Sequence, residues 1–208
     1  MDREESRWPA VFAILFVLVL LQILPGRIRI MPPWFPYAST FLLVAPMLGI
    51  TFTRAAVFNR IERIVIYAFV VITVVLMILS LERLIFAIFS PTPIMGGTHL
   101  LASAIEIWIV NVITFGLVYW QIDRGGPDAR ASGHAKRPDL LFPELPTEAG
   151  RTYTFIDYLF FAYTASTAFS PTETFPRTRR AKILMMVQSA ISIITIIVVA
   201  SRAINILK

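Results

Sequence analysis

The sequence predicts an all-α, multi-pass membrane helix bundle, and three observations carry that expectation. The chain of 208 residues is 57% hydrophobic and only 15% charged, with a mean hydropathy of +0.72, far from the balance of a soluble domain. Apolar runs approaching the roughly 20 residues that a bilayer core requires recur along it. Lys and Arg gather at the ends of those runs, as topology-setting charges do. The expected architecture is about five spanning helices plus one re-entrant helix, in three parts. These are a four-helix region over 1–121, a polar linker over 122–151, and a final module over 152–208.

Trp8 to Leu24 is a continuous apolar run that ends at Pro25-Gly26. Asp2, Glu4 and Glu5 precede it and no small-x-small cleavage site follows, so it reads as a first span rather than a signal peptide. Arg27, Arg29 and the proline-rich stretch to Pro36 form a stiff interfacial connection, with Trp34 and Tyr37 suited to the headgroup level. A second span, Tyr37 to Thr53, is kinked by Pro46 and Gly49. Arg54, Arg60 and Arg63 mark a basic turn before the third span, from about Ile64 to Phe89. Near its end Glu82 and Arg83 reach the interface by snorkelling.

The fourth span runs from about Leu100 to Trp120 and contains Glu106 and Asn111. An intramembrane acid costs about 2.5–3.5 kcal/mol on insertion scales and turns towards a partner or a cavity. Glu106 is therefore either one end of a helix–helix hydrogen bond or part of a solute path. From Gln121 to Arg151 the character changes. Asp123-Arg124-Gly125-Gly126-Pro127 is a helix exit and turn, followed by a solvated linker with His134, Lys136 and Arg137. Leu140 to Pro146 either lies on the membrane surface or docks on the protein.

The last quarter organises the rest. Tyr153 to Phe169 is short for a span and carries Asp157, Thr164, Ser166 and Thr167. It reads as a helix that enters the membrane, breaks at Ser170-Pro171 and returns to the same side through Thr172 and Glu173. Non-helical backbone is tolerated at that depth only where protein or water surrounds it. Arg177, Arg179, Arg180 and Lys182 follow, then a long apolar helix from Ile183 to about Ile206. With the N-terminus inside and the loop re-entrant, 14 of the 19 Lys and Arg residues fall on the inner side. If Tyr153 to Phe169 spans fully, the inner share drops to 12 of 19. The charge distribution thus favours a loop that opens to the cytoplasm.

Within the final helix Gln188, Ser192 and Thr195, with Arg202 further on, form one polar stripe on an otherwise apolar cylinder. Such a stripe either packs helices together through hydrogen bonds or lines a pore that a symmetric oligomer surrounds. Both readings stand at this level.

The run from Phe160 through Thr164, Thr167, Ser170, Thr172 and Glu173 to Pro176, with the basic knot and long helix behind it, resembles the pore module of two-helix potassium channels. It is also similar to bacterial multi-pass proteins of unassigned role that carry the same Thr-Ala-Phe-Ser-Pro-Thr block. The resemblance covers about a quarter of the chain and implies a pore loop with Thr167 at the filter threonine and Glu173 at the acid behind the filter. That family's filter uses Gly-Tyr-Gly, whereas Ser170-Pro171-Thr172 stands here. Proline fixes φ near −65°, so the carbonyl ring that selects potassium is not expected.

Other chemistry lacks its ligands. The chain has no cysteine and only His99 and His134, both in connections, so neither a metal site nor a cofactor site is expected. Ser170 precedes a proline and has no intramembrane histidine to activate it, which argues against a hydrolase and against an enzyme generally. The net charge of +6 belongs to helix ends rather than to a nucleic-acid surface. The expectation is a channel-like subunit of the cytoplasmic membrane, a homo-oligomer in the lipid bilayer that takes an inorganic cation. A non-conducting scaffold or accessory subunit is the alternative.

Overall fold

A computed structural model describes residues 8–23, 56–89, 96–143, 153–167 and 174–206. These form six α-helices: α1 (Trp8–Ile23), α2 (Ala56–Phe89), α3 (Gly97–Ile122), α4 (Pro127–Ala131), α5 (Phe155–Thr167) and α6 (Arg179–Ile206). Two two-residue strands, β1 (Leu140–Leu141) and β2 (Phe175–Pro176), pair antiparallel. Three helices are long and apolar enough to cross a membrane, within α2, α3 and α6. The apolar part of α1, Val11–Leu20, is shorter. The second span expected over Tyr37–Thr53 lies outside the described residues.

The third span differs from the sequence reading at its start. Helix α2 begins at Ala56, so Arg60 and Arg63 stand on helix rather than in a turn. Nothing in Ala56 to Arg63 breaks a helix, since neither glycine nor proline occurs there. Glu82 and Arg83 are both exposed.

Helix α3 is the centre of the bundle. It packs on α1, α2, α5 and α6, and every residue from Val110 to Asp123 is buried. Aromatic rings fill the space between α3 and α5, with Tyr119 edge-on to Phe161 at 4.8 Å and Trp120 perpendicular to Phe155 at 6.2 Å. Gly116 allows the two helices their close approach, because a Cβ there would stand 3.2 Å from the Leu159 Cα.

The exit of α3 is a tight turn in which Arg124, Gly125 and Gly126 all have positive φ. At Gly126 a Cβ would meet the Gln121 carbonyl oxygen at 3.0 Å, so glycine is required by both conformation and space. The chain then passes through α4 and an exposed stretch, residues 131–137, before β1.

At the start of α5 the Thr154 N–H and hydroxyl both donate to the Asp157 carboxylate, at 2.7 and 3.0 Å, which is the side-chain-to-N-cap half of a capping box. Helix α6 begins on Thr178, whose hydroxyl accepts from the Ala181 N–H at 3.3 Å. The starts of α5 and α6 both lie at the C-terminal end of α3, because Tyr158 and Arg180 each bond to groups there. Strand β2, which follows α5 in the chain, pairs with β1 at this same end. Helix α5 has 13 residues against 26 in α3, so it extends only about half as far, roughly 20 Å.

Candidate functional site

Two polar assemblies connect α3, α5 and α6. The first lies deep between the helices and centres on Gln188, which is 0% exposed. Its Nε2 donates to the Ala162 carbonyl at 2.6 Å and to the Ser166 Oγ at 2.7 Å. Its Oε1 accepts from the Tyr119 hydroxyl at 2.8 Å. Asn111 completes the set from α3, donating through Nδ2 to the Gln188 carbonyl at 3.2 Å and to the Ser192 Oγ at 2.7 Å. Asn111 and Tyr119 are eight residues apart, close to two helical turns, and so share the face that meets α6. Ser189 adds a bond from its hydroxyl to the Ala165 carbonyl at 3.1 Å.

The stripe on the final helix is therefore turned inwards. Gln188, Ser192 and Thr195 are all buried, at 0%, 0% and 1% exposure, and Thr195 donates to the Ile191 carbonyl within its own helix. The face of α6 that stays open is apolar, with Ile183, Met186, Ile193 and Ile197 exposed. The two kinds of face follow from one requirement. A buried amide costs free energy unless its donors and acceptors are met, and α3 and α5 supply the partners of Gln188.

In α5 the hydroxyls of Thr164 and Thr167 satisfy themselves along the helix, on the Phe161 carbonyl for the first and the Tyr163 and Thr164 carbonyls for the second. Ser166 is held by Gln188. Ser170, Pro171, Thr172 and Glu173 lie outside the described residues. Glu106 is buried at 8% exposure, and among the described residues its Oε1 has no hydrogen-bond partner. The same holds for Asn111 Oδ1 and Thr114 Oγ1, also on α3. Among the described residues no cluster of three or more metal-ligating side chains occurs.

The second assembly sits where the helices begin and end. Asp123 and Asp139 are both fully buried. Asp123 Oδ1 accepts from the Asp139 and Leu140 N–H groups at 2.8 and 3.2 Å, and Oδ2 accepts from the Tyr158 hydroxyl at 2.9 Å. Arg180 grips Asp139 with both arms, Nε to Oδ1 at 2.6 Å and Nη2 to Oδ2, and Nη2 also reaches the Ile122 carbonyl at 3.1 Å. The Thr178 hydroxyl donates to Asp139 as well. Arg130 closes the ring, donating to the Trp120 and Asp123 carbonyls at 3.0 and 2.8 Å beneath the faces of Trp120 and Tyr158. Four chain segments that are remote in sequence are thereby fixed together: the α3 exit, β1, and the starts of α5 and α6.

The clasp draws both ends of the described part of the polar linker, Asp123 and Asp139 to Phe142, into the protein. Residues 131–137 are exposed as expected, but Asp123, Asp139, Leu140 and Phe142 are buried. Of the two placements open for the Leu-Phe-Pro segment, docking on the protein is the one found for Leu140 and Phe142. Phe142 stacks on Tyr153 at 4.3 Å and meets Tyr158 edge-on at 5.2 Å. Asp139 and Arg180 are 41 residues apart, and no local spacing announces their pairing. Asn111 and Tyr119 carried a weak signal, since both place polar atoms on one face of an apolar helix.

Comparison with known proteins gives no match: no family model fits the chain, and neither a curated protein nor a solved structure matches it. Among the described residues three helices are long and apolar enough to cross a membrane, and on length and composition these mark a membrane protein.

Proposed function

We propose that the chain is a channel-like membrane subunit. In this reading α3, α5 and α6 form a pore-loop module that passes cations without potassium selectivity, within a symmetric homo-oligomer. One observation carries it: α5 sets out from the same end of α3 at which β2 meets β1. A half-length helix that leaves and returns on one side is a re-entrant helix. Its C-terminal end then lies near mid-membrane, where the negative pole of the helix dipole favours a cation. The cation path runs past this end and past residues 170–173, with Glu173 supplying charge. Gln188 serves the path indirectly, by fixing α5 against α6.

A second reading, a non-conducting scaffold, draws on the inward orientation of Gln188, Ser192 and Thr195, which leaves α6 an apolar free face. Hydrophobic linings exclude water and ions. Flux measurements on the full chain in liposomes separate the two. The channel reading expects cation flux in the parent chain and altered flux or ion preference in Glu173→Gln, with assembly unchanged. A parent chain without flux refutes it in favour of the scaffold. Re-entrance has its own test on a chain without native cysteine: Lys136→Cys and Arg179→Cys react with an impermeant reagent from one side of intact cells. Reaction from opposite sides means that α5 crosses fully.

A further inference from the structure

The basic knot before α6 has a role that neither the clasp nor a pore loop absorbs. Arg180 is committed to Asp139, but Arg177, Arg179 and Lys182 are exposed, and among the described residues none of them has an ion-pair partner. Of the described acids at this end, Asp123 and Asp139 are buried in the clasp, and the Asp157 carboxylate accepts from Thr154. Nor do these charges serve α6, since the first turn of a helix favours acids and this one has none. Beside them the β-ribbon presents two apolar side chains to the outside. Leu141 and Phe175 are register partners, and both are exposed, at 47% and 56%. The ribbon's other residues face inwards or are half-buried, and Phe142 beyond it is packed under Tyr153.

We infer that this surface binds the headgroups of anionic lipids in the bilayer that holds the helices. The candidate span of α6 begins at Arg179, which sets the three cations at the membrane boundary. A phosphate-bearing headgroup there meets the charges of Arg177, Arg179 and Lys182, while Leu141 and Phe175 enter the adjoining acyl region. Cations beside apolar side chains complement an anionic lipid; a soluble anion would use only the cations. The clasp holds ribbon and helix start in one frame, since Arg177 donates its N–H to the Asp139 carbonyl at 2.8 Å. The inference depends on the membrane reading and not on conduction.

The test uses the full chain purified in detergent and native mass spectrometry, titrated with phosphatidylglycerol and with phosphatidylcholine. The expected result is selective retention of phosphatidylglycerol, which falls at least about fivefold in R177Q/R179Q/K182Q. That is the equilibrium equivalent of the roughly 1 kcal/mol that a single basic side chain gains at an anionic surface. Arg180 is left intact so that the clasp persists, and retained helical circular dichroism checks the fold. Should the triple variant misfold, the parent chain still decides the matter: its preference must weaken as salt rises from about 50 to 500 mM. Equal retention of the two lipids, a salt-independent preference, or an unchanged preference in a folded triple variant overturns the inference. Competition by millimolar inorganic phosphate as effective as that by the lipid also overturns it, because the apolar pair would then contribute nothing.

Discussion

The hydrogen bond between Tyr119 and Gln188 allows the helix-locking role of the polar stripe to be measured. Gln188→Leu conserves most of the volume and removes three side-chain hydrogen bonds, to Tyr119, Ala162 and Ser166. Hydrogen bonds between membrane helices average about 0.6 kcal/mol and reach about 1.7 kcal/mol. The Tyr119 hydroxyl, buried at 0% exposure, is also left without its acceptor, a loss of about 1–3 kcal/mol in protein interiors. The Ala162 and Ser166 bonds at that average, together with the stranded hydroxyl, give an expected destabilisation of about 2–4 kcal/mol. Tyr119→Phe removes only one bond and should cost about 1 kcal/mol. In the double variant the shared bond is lost once, so its cost should fall short of the sum by about 1 kcal/mol. Reversible unfolding in mixed micelles, followed by helical circular dichroism, gives all three values. Additivity within about 0.3 kcal/mol would falsify the coupling, and with it the argument that Gln188 locks α6 to α3 through Tyr119.

Two further outcomes follow from the packing and the clasp. Gly116→Val should push α5 away from α3, since even a Cβ stands 3.2 Å from the Leu159 backbone; overpacking of this kind costs about 1–3 kcal/mol. Thermal unfolding in detergent checks it, and a variant as stable as the parent refutes the close-approach role. Arg180→Ala leaves Asp139 buried without its guanidinium. The loss should be about 2 kcal/mol, below the 3–5 kcal/mol of a wholly buried pair, because the Arg180 side chain is 55% exposed and solvent screens it. Arg180→Lys should recover only part of this, as an ammonium cannot match the two-armed grip. Hydrogen exchange should accelerate at residues 139–141 and at the start of α6; unchanged protection there would show that the clasp holds without Arg180.

Composition and apolar length determined much of this protein by themselves. A chain that is 57% hydrophobic, with runs long enough for a bilayer, has to fold as helices that satisfy their own backbone. The structure accordingly holds α1, α2, α3, α5 and α6 where the apolar runs lie, with boundaries moved by a few residues at capping positions such as Thr178, and by more at the start of α2. The polar stripe of α6 was equally legible, because the 3.6-residue period puts Gln188, Ser192 and Thr195 on one face whatever surrounds them. Which way that face turns was not legible. Its direction depends on Asn111 and Tyr119, some 70 to 80 residues earlier, whose polar atoms complement it only once α3 and α6 lie side by side. The clasp was hidden for the same reason. Asp123, Asp139 and Arg180 look like ordinary turn and boundary charges in sequence, and burial with bidentate pairing arises only where four separate segments converge. Periodicity is a property of one helix and can be read from it alone. The partner of a buried polar group is a property of two helices, and tertiary packing alone supplies it.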